Sequence, residues 1–196
     1  MHALLDILGG NPQDVTMLKR TLDLSIASIG LAVFALLLPV LATAITLSSP
    51  GPILFRQIRV GRHGQHFTCY KLRTMHHNAP PVTYGTDRPE DDPRIHKAGR
   101  FLRKVSLDEL PQFINVLKGD MSIVGPRPFV PAEAAQLPSE RLQVRPGITG
   151  PWQVCDRSET NWDEVVALDC RYAEYHPILV DLTILAKTPL AALRNR

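Results

Sequence analysis

Disulfide material is scarce in this chain. Its three cysteines, Cys69, Cys155 and Cys170, are odd in number, and no two stand at Cys-x-x-Cys spacing. A disulfide scaffold is therefore excluded as the organising principle, and a reducing compartment is expected. Seven histidines form no His-x-x-x-His or mixed Cys/His pattern, so no zinc site is expected. Charge of one sign is also lacking. The formal net charge is only +3, which points away from a nucleic-acid binder. There is no internal repeat and no low-complexity tract. Proline, by contrast, is abundant, at 17 of 196 residues against a usual frequency of about 5%. So many prolines imply many turns and exclude a plain helical bundle. Apolar residues make up 44% of the chain, enough for the core of one domain.

Charge is missing most conspicuously between Leu24 and Leu47, a run of 24 residues with no ionisable side chain. As a helix it would measure about 36 Å, against a hydrocarbon core of about 30 Å. It is too long for the apolar part of a cleavable signal and lacks a small-residue cleavage site. It reads as a membrane segment. Lys19 and Arg20 precede it, and Arg56, Arg59 and Arg62 follow it. Basic residues favour the cytoplasmic side, so both flanks prefer the same side. Pro39 lies inside the run and removes a backbone donor. A helix that dips in and returns satisfies both flanks, and a straight span is the open alternative. At the other end of the chain, Ile178, Leu182, Leu185 and Leu193 recur at helical spacing beside Lys187, Arg194 and Arg196. They fit either an interfacial helix or an ordinary surface helix.

The expected organisation is α+β, in three parts. These are an N-terminal segment over 1–18, a membrane helix over 19–49 broken at Pro39, and a catalytic domain over 50–196. "SSPGP" at 48–52 ends the membrane helix. Residues 53–74 alternate around "GRHG" and predict a β-hairpin packed through Phe55, Ile58, Val60, Phe67 and Tyr70. Helices are expected over 94–104, with a cationic face, and over 107–117, 131–137 and 162–175.

The chemistry concentrates in "KVSLDELPQFINVLKGDMSIVGPRP", residues 104–128. Ser106 and Glu109 fit the S-x-x-E capping box, in which Asp108 would only complement a helix dipole. A second reading treats the same helix N-terminus as a phosphate site. Arg103, Lys104 and Arg127 are the neighbouring cations. They would keep both carboxylates ionised. Asp108 could then attack phosphorus, and Glu109 could hold Mg²⁺, which would relieve the repulsion between adjacent negative charges.

Five ordered segments carry a specific likeness: "KRTLD", "SPGPILFRQIRVGRHGQHFTCYKLRTM", "SLDELPQFINVLKGDMSIVGPRP", "VRPGITGPWQV" and the "LD…Y" stretch at Asp169 and Tyr172. On these the chain resembles the bacterial sugar transferases, the small monotopic phosphoglycosyl transferases. The resemblance implies a helix-rich monotopic membrane protein with a re-entrant N-terminal helix, a β-hairpin and amphipathic interfacial helices. It implies transfer of a phosphosugar from a UDP-sugar to a polyprenyl phosphate, such as undecaprenyl phosphate, at the cytoplasmic face of the bacterial inner membrane. Such transfer begins exopolysaccharide, O-antigen or glycoprotein glycan assembly. Asp108 would be the nucleophile and Glu109 the Mg²⁺ ligand. Arg103 and Arg127 would handle phosphate, with Lys71 and Arg73 near the centre. Arg145, Gln153 and Arg157 would face the nucleotide or sugar, and Asp181 matches a late family aspartate. "WQVCDR" is similar to the "WQVSGR" of members that transfer hexose phosphates, with Cys155 and Asp156 in place of small residues. Only 18 residues precede "KRTLD", so the minimal catalytic form is expected. The lipid bilayer is a partner, and a homodimer is left open. The competing functions are a non-catalytic, membrane-anchored scaffold of a glycan pathway and a soluble phosphate-binding regulator.

Overall fold

A computed structural model describes residues 12–80, 92–155, 162–175 and 177–194. The uncharged run folds as part of α1, Pro12–Ser48, which begins seven residues before Lys19 and continues through Pro39. Pro39 does not end the helix. It removes one donor, and one carbonyl beside it stays occupied, because Thr43 Oγ1 donates to Pro39 O at 2.8 Å. One stripe of α1 is buried: Asp23, Ala27, Phe34, Leu41 and Ile45, spaced by four or seven residues. The opposite face exposes Leu24, Ile29, Val33, Leu36, Val40 and Leu47, none of them charged. Gly30 lets the Phe113 ring lie against the helix, since a Cβ there would stand 2.4 Å from that ring. The helix is long and apolar enough to cross a membrane, and it marks a membrane protein.

α1 is fastened to the rest of the chain along its length. Near its start, Lys19 Nζ donates to Val124 O at 3.1 Å and pairs with Asp181 at 2.6 Å. Arg20 donates to Val116 O and Leu117 O at 2.9 and 3.2 Å. Buried Asp23 accepts from Ser122 Oγ and the Ile123 amide. At its end, the buried Arg73 guanidinium donates to Ser49 Oγ, Ser49 O and Pro52 O at 2.6–2.7 Å.

The hairpin forms as expected, with β1 (Leu54–Val60) antiparallel to β2 (His66–Leu72). Its turn places His63 and Gly64 at φ 55° and 76°. Val60 and Phe67 are buried as expected, whereas Phe55 and Ile58 are about half exposed; Cys69 and Leu72 supply the remaining core contacts. α2 (Lys97–Lys104) starts three residues later than the sequence suggests, because the buried His96 ring caps it by accepting from the Gly99 amide at 3.0 Å. Lys97, Arg100 and Lys104 share its exposed face with Phe101 and Val105.

The helix expected over 107–117 is instead a 3₁₀ turn, Leu107–Glu109, followed by α3, Gln112–Lys118. Pro111 has no N–H to continue the α-helical ladder, so the chain restarts there. The capping box is absent. Ser106 sits in the left-handed region at φ 57°, and its side chain makes no cap bond. Asn115, fully buried, ties α3 to the hairpin. Its Oδ1 accepts from the Tyr70 amide at 3.1 Å and its Nδ2 donates to Thr68 O at 2.7 Å.

A parallel pair the sequence did not suggest joins β3 (Ser122–Val124) to β4 (Gly147–Thr149). Short helices α4 (Pro131–Ala134) and α5 (Pro151–Val154) flank it, with a 3₁₀ turn over Ser139–Gln143. Two long helices follow, α6 (Trp162–Glu174) and α7 (Ile178–Arg194). On α7, Ile184 and Ala191 face the core while Leu179, Leu182 and Leu190 are exposed. Of the expected apolar stripe, Leu182 is on the surface, Ile178 and Leu185 are half buried, and the Leu193 side chain lies outside the described residues.

Candidate active site

The 3₁₀ turn and the hairpin meet at Glu109. Its Oε1 accepts from Lys71 Nζ of β2 at 2.7 Å. Asp108 precedes it in the same turn and is deeper, at 8% exposure. The turn opens onto a small, open cleft lined by Arg59, Lys71, Glu109, Gln112, Arg127 and Gln153. Strand alternation explains two of these residues. Arg59 and Lys71 lie on one face of the hairpin, because 59 pairs with 67 and 71 with 55.

Arg59 is anchored to Gln57 Oε1 and donates to Pro128 O at 2.9 Å. Burial, and after it the Arg127 charge, pull its pKa down. Two guanidiniums repelling each other in one cleft make a site that an anion would relieve. Arg127 enters from the Gly-Pro-Arg-Pro loop after β3, and its guanidinium lies 5.0 Å from the Trp152 ring centroid. Cys69 also borders the cleft, and burial pushes its thiol up, toward the neutral form.

Lys71, Glu109, Arg127 and Gln153 therefore converge, with Asp108 in the turn that carries Glu109. The other expected residues stand elsewhere. Arg103 Nε donates to Thr74 Oγ1 at 2.9 Å, on the helix leading into the turn. Arg73 is committed to the end of α1. Arg145 donates to Gly119 O at 2.9 Å, at the end of α3. Asp181 is buried against Lys19 and the Tyr172 hydroxyl. Arg157 lies outside the described residues. Sequence reasoning missed Arg59 and Gln112 as cleft residues. The hairpin pairing carries the signal for Arg59, which the sequence alone presents as a charge flanking the apolar run.

Comparison with known proteins adds a family. The profile described as "Bacterial sugar transferase" matches residues 15–195. Over 184 residues the chain is 43% identical to "Galactosyl transferase CpsE" of Streptococcus agalactiae, covering 87% of this chain and 41% of that protein. It is 40% identical over 195 residues to "Undecaprenyl-phosphate galactose phosphotransferase" of Salmonella typhimurium, covering 91% of this chain and 41% of that one. A third relative, the "UDP-glucose:undecaprenyl-phosphate glucose-1-phosphate transferase" of Caulobacter vibrioides, is 42% identical over 201 residues, with 94% and 74% covered. The chain thus spans about two fifths of the length of the first two relatives.

Proposed function

Since the chain belongs to the bacterial sugar transferase family, we propose that it moves a sugar 1-phosphate from a UDP-sugar to a polyprenyl phosphate. The names of two relatives supply the donor and acceptor classes. The observation that carries the reading is the cleft lined by Arg59, Lys71, Glu109 and Arg127, with buried Asp108 next to Glu109 in the same turn.

In the proposed reaction an Asp108 oxygen bonds to the β-phosphorus of the donor. The bond from that phosphorus to the bridging oxygen breaks, and UMP leaves with the electron pair. A phosphate oxygen of the polyprenyl acceptor then attacks the same phosphorus. The aspartyl–phosphorus bond breaks and restores the carboxylate. Transfer of this kind needs positioning and charge neutralisation more than proton movement. Arg59 and Arg127 supply fixed positive charge to the phosphate oxygens.

Among the described residues no group of three or more metal-ligating side chains exists. Mg²⁺ commonly binds through one or two carboxylates and completes its shell with water and substrate phosphate. Lys71 Nζ donates to Glu109 Oε1 at 2.7 Å at the edge of the cleft. Glu109 would hold the ion, whose chemistry when bound is neutralisation of diphosphate charge. Lys71 keeps the Glu109 carboxylate turned toward the cleft.

The packing of α1 supports work at one membrane face. From Lys19 to Ser48 the helix runs about 44 Å at ~1.5 Å per residue. Its inner face touches Leu102 and Leu72, and Arg103 and Lys104, Lys71 and Arg73 stand on or directly after the elements that carry them. If α1 crossed the bilayer straight, those charges would enter hydrocarbon, at a cost of several kcal/mol each. Entry into one leaflet with the charged side held at the interface avoids this. We assign that interface to the cytoplasmic face of the inner membrane, in keeping with the basic flanks.

The test is UMP release by the purified protein in lipid nanodiscs, given UDP-glucose or UDP-galactose with undecaprenyl phosphate. Sustained release over many turnovers that needs both substrates, with at most one UMP per protein when the acceptor is withheld, supports the proposal. No release across a panel of UDP-sugars contradicts it and leaves a binding scaffold.

A further inference from the structure

Arg141 and Asp169 form an ion pair of 2.6 Å whose side chains are 2% and 1% exposed. Arg141 comes from the 3₁₀ turn Ser139–Gln143 and Asp169 from α6. Neither residue touches the cleft around Glu109. Apolar side chains could join these two elements without the desolvation penalty of two buried charges. A pair kept in so dry a place does something that leucines cannot.

Its contacts show where it acts. The Arg141 Nη2 that meets Asp169 also donates to Arg127 O at 2.7 Å. The Arg141 guanidinium lies over the Phe129 ring, 4.6 Å from its centroid. Burial pushes the Asp169 carboxyl up, while Arg141 and, after it, the Arg127 amide pull it down. Arg127 stands between Pro126 and Pro128, neither of which has an N–H. The loop is held mainly by its carbonyls. Gly147 N donates to Pro126 O and Val60 N to Phe129 O, each at 2.9 Å, and Arg59 takes Pro128 O. The carbonyl of Arg127 itself is the one held by the buried pair.

We propose that Arg141 and Asp169 are positioning residues, a buried clamp on the Arg127 backbone that fixes the Arg127 guanidinium in the cleft over Trp152. The claim rests on the phosphosugar-transfer reading for its consequence and on geometry alone for the clamp. Asp169 keeps Arg141 inside, and the single Nη2 of Arg141 bridges the Asp169 carboxylate to the Arg127 carbonyl. Methionine removes both bonds at similar length and keeps the apolar stem.

Two readouts separate a clamp from simple glue. Both use the full chain in nanodiscs carrying Trp162→Phe, so that Trp152 is the one remaining tryptophan. The first is Trp152 emission below the melting transition, with Arg127→Ala as the reference for an unstacked ring. Arg141→Met and Asp169→Asn are expected to move the emission to that reference. The second is UMP release. A displacement of about 1 Å at a reacting centre costs about 100-fold, so each variant should lose about that factor in kcat. On the Arg127→Ala background the same changes should lose no more than about threefold, because residues acting through one another are not additive. Unchanged Trp152 emission in a folded Arg141→Met chain would overturn the clamp. So would equal losses with and without Arg127. If neither variant folds while Arg127→Ala does, the pair is a structural support and the proposal fails. A wild-type chain that releases no UMP sinks the transfer reading, and the emission arm still decides the clamp.

Discussion

Replacing Gly125 by alanine tests how the cleft is built. Gly125 opens the Gly-Pro-Arg-Pro loop and is buried. Its backbone does not lie in the left-handed region, so space, not conformation, requires glycine there. A Cβ would stand 2.4 Å from Arg145 O and 2.8 Å from Gly147 N, where ordinary contact begins at 3.4 Å. Something must move by about 1 Å to accept the methyl group. Both neighbours are backbone atoms held in the β3–β4 pair, where Gly125 N donates to Thr149 O and Gly147 N to Pro126 O at 2.9 Å. A separation near 3.9 Å is no longer a hydrogen bond. Stranding one or two buried backbone groups costs about 2–4 kcal/mol, or about 5–15 °C in melting temperature for a chain of this size. Arg127 is two residues further on, so turnover should fall about 100-fold as well. Gly64→Ala is the control. It has nothing within 4 Å and costs only its positive φ, on the order of 1 kcal/mol. Thermal melting and UMP release in nanodiscs read both effects. A Gly125→Ala protein that melts and turns over like the wild type would refute the close-packed origin of the site.

Three further perturbations follow from the geometry. Asn115→Ala strands the Tyr70 amide and the Thr68 carbonyl, so unfolding in denaturant should lose roughly 2–5 kcal/mol; an unmoved midpoint contradicts the tie. Lys71→Met removes the cation on Glu109, so kcat should fall while half-saturating Mg²⁺ drops by up to about fivefold, the worth of a partly exposed pair near 1 kcal/mol; an unchanged Mg²⁺ titration argues against Glu109 as the ligand. His96 is buried and neutral, because its Nε2–H donates to Arg73 O while Nδ1 accepts from the Gly99 amide. Burial holds its pKa below the ordinary 6.5. The unfolded chain therefore takes up a proton near pH 6.5 that the folded chain refuses, and stability falls as pH drops below that value. Melting temperatures at pH 7.5 and 5.5 should differ less in His96→Gln, and an equal difference would count against this role.

The membrane helix and hairpin were legible because each carries a local signal. An uncharged run of 24 residues, and two β-prone stretches on either side of Gly61–Gly64, need no tertiary context. The turn that carries Asp108 and Glu109 was legible in its residues but not in its shape. A serine three before a glutamate suggests a cap, yet Pro111 interrupts the helix and Ser106 turns left-handed. Arg73, Arg145 and Asp181 illustrate a different difficulty. Each is a charged residue in a distinctive segment, and each spends its charge on carbonyls or an ion pair that ties distant elements together. Long-range partners of that kind leave no local spacing to read. The same holds for the β3–β4 pair and for Arg141 with Asp169, whose partners stand more than 20 residues apart. The family resemblance placed Lys71, Glu109, Arg127 and Gln153 near one centre, and the fold brings these four to one cleft.

The most direct measurement is mass spectrometry of the protein quenched after mixing with isotope-labelled UDP-sugar and Mg²⁺, with the polyprenyl acceptor withheld. A labelled phosphosugar is expected on the peptide that contains Asp108. It should be lost when acceptor is added and absent from Asp108→Asn, an amide of the same shape that is a poor nucleophile. Full turnover by Asp108→Asn, or UMP release from the wild type with no such adduct under any quench, would contradict covalent transfer through Asp108.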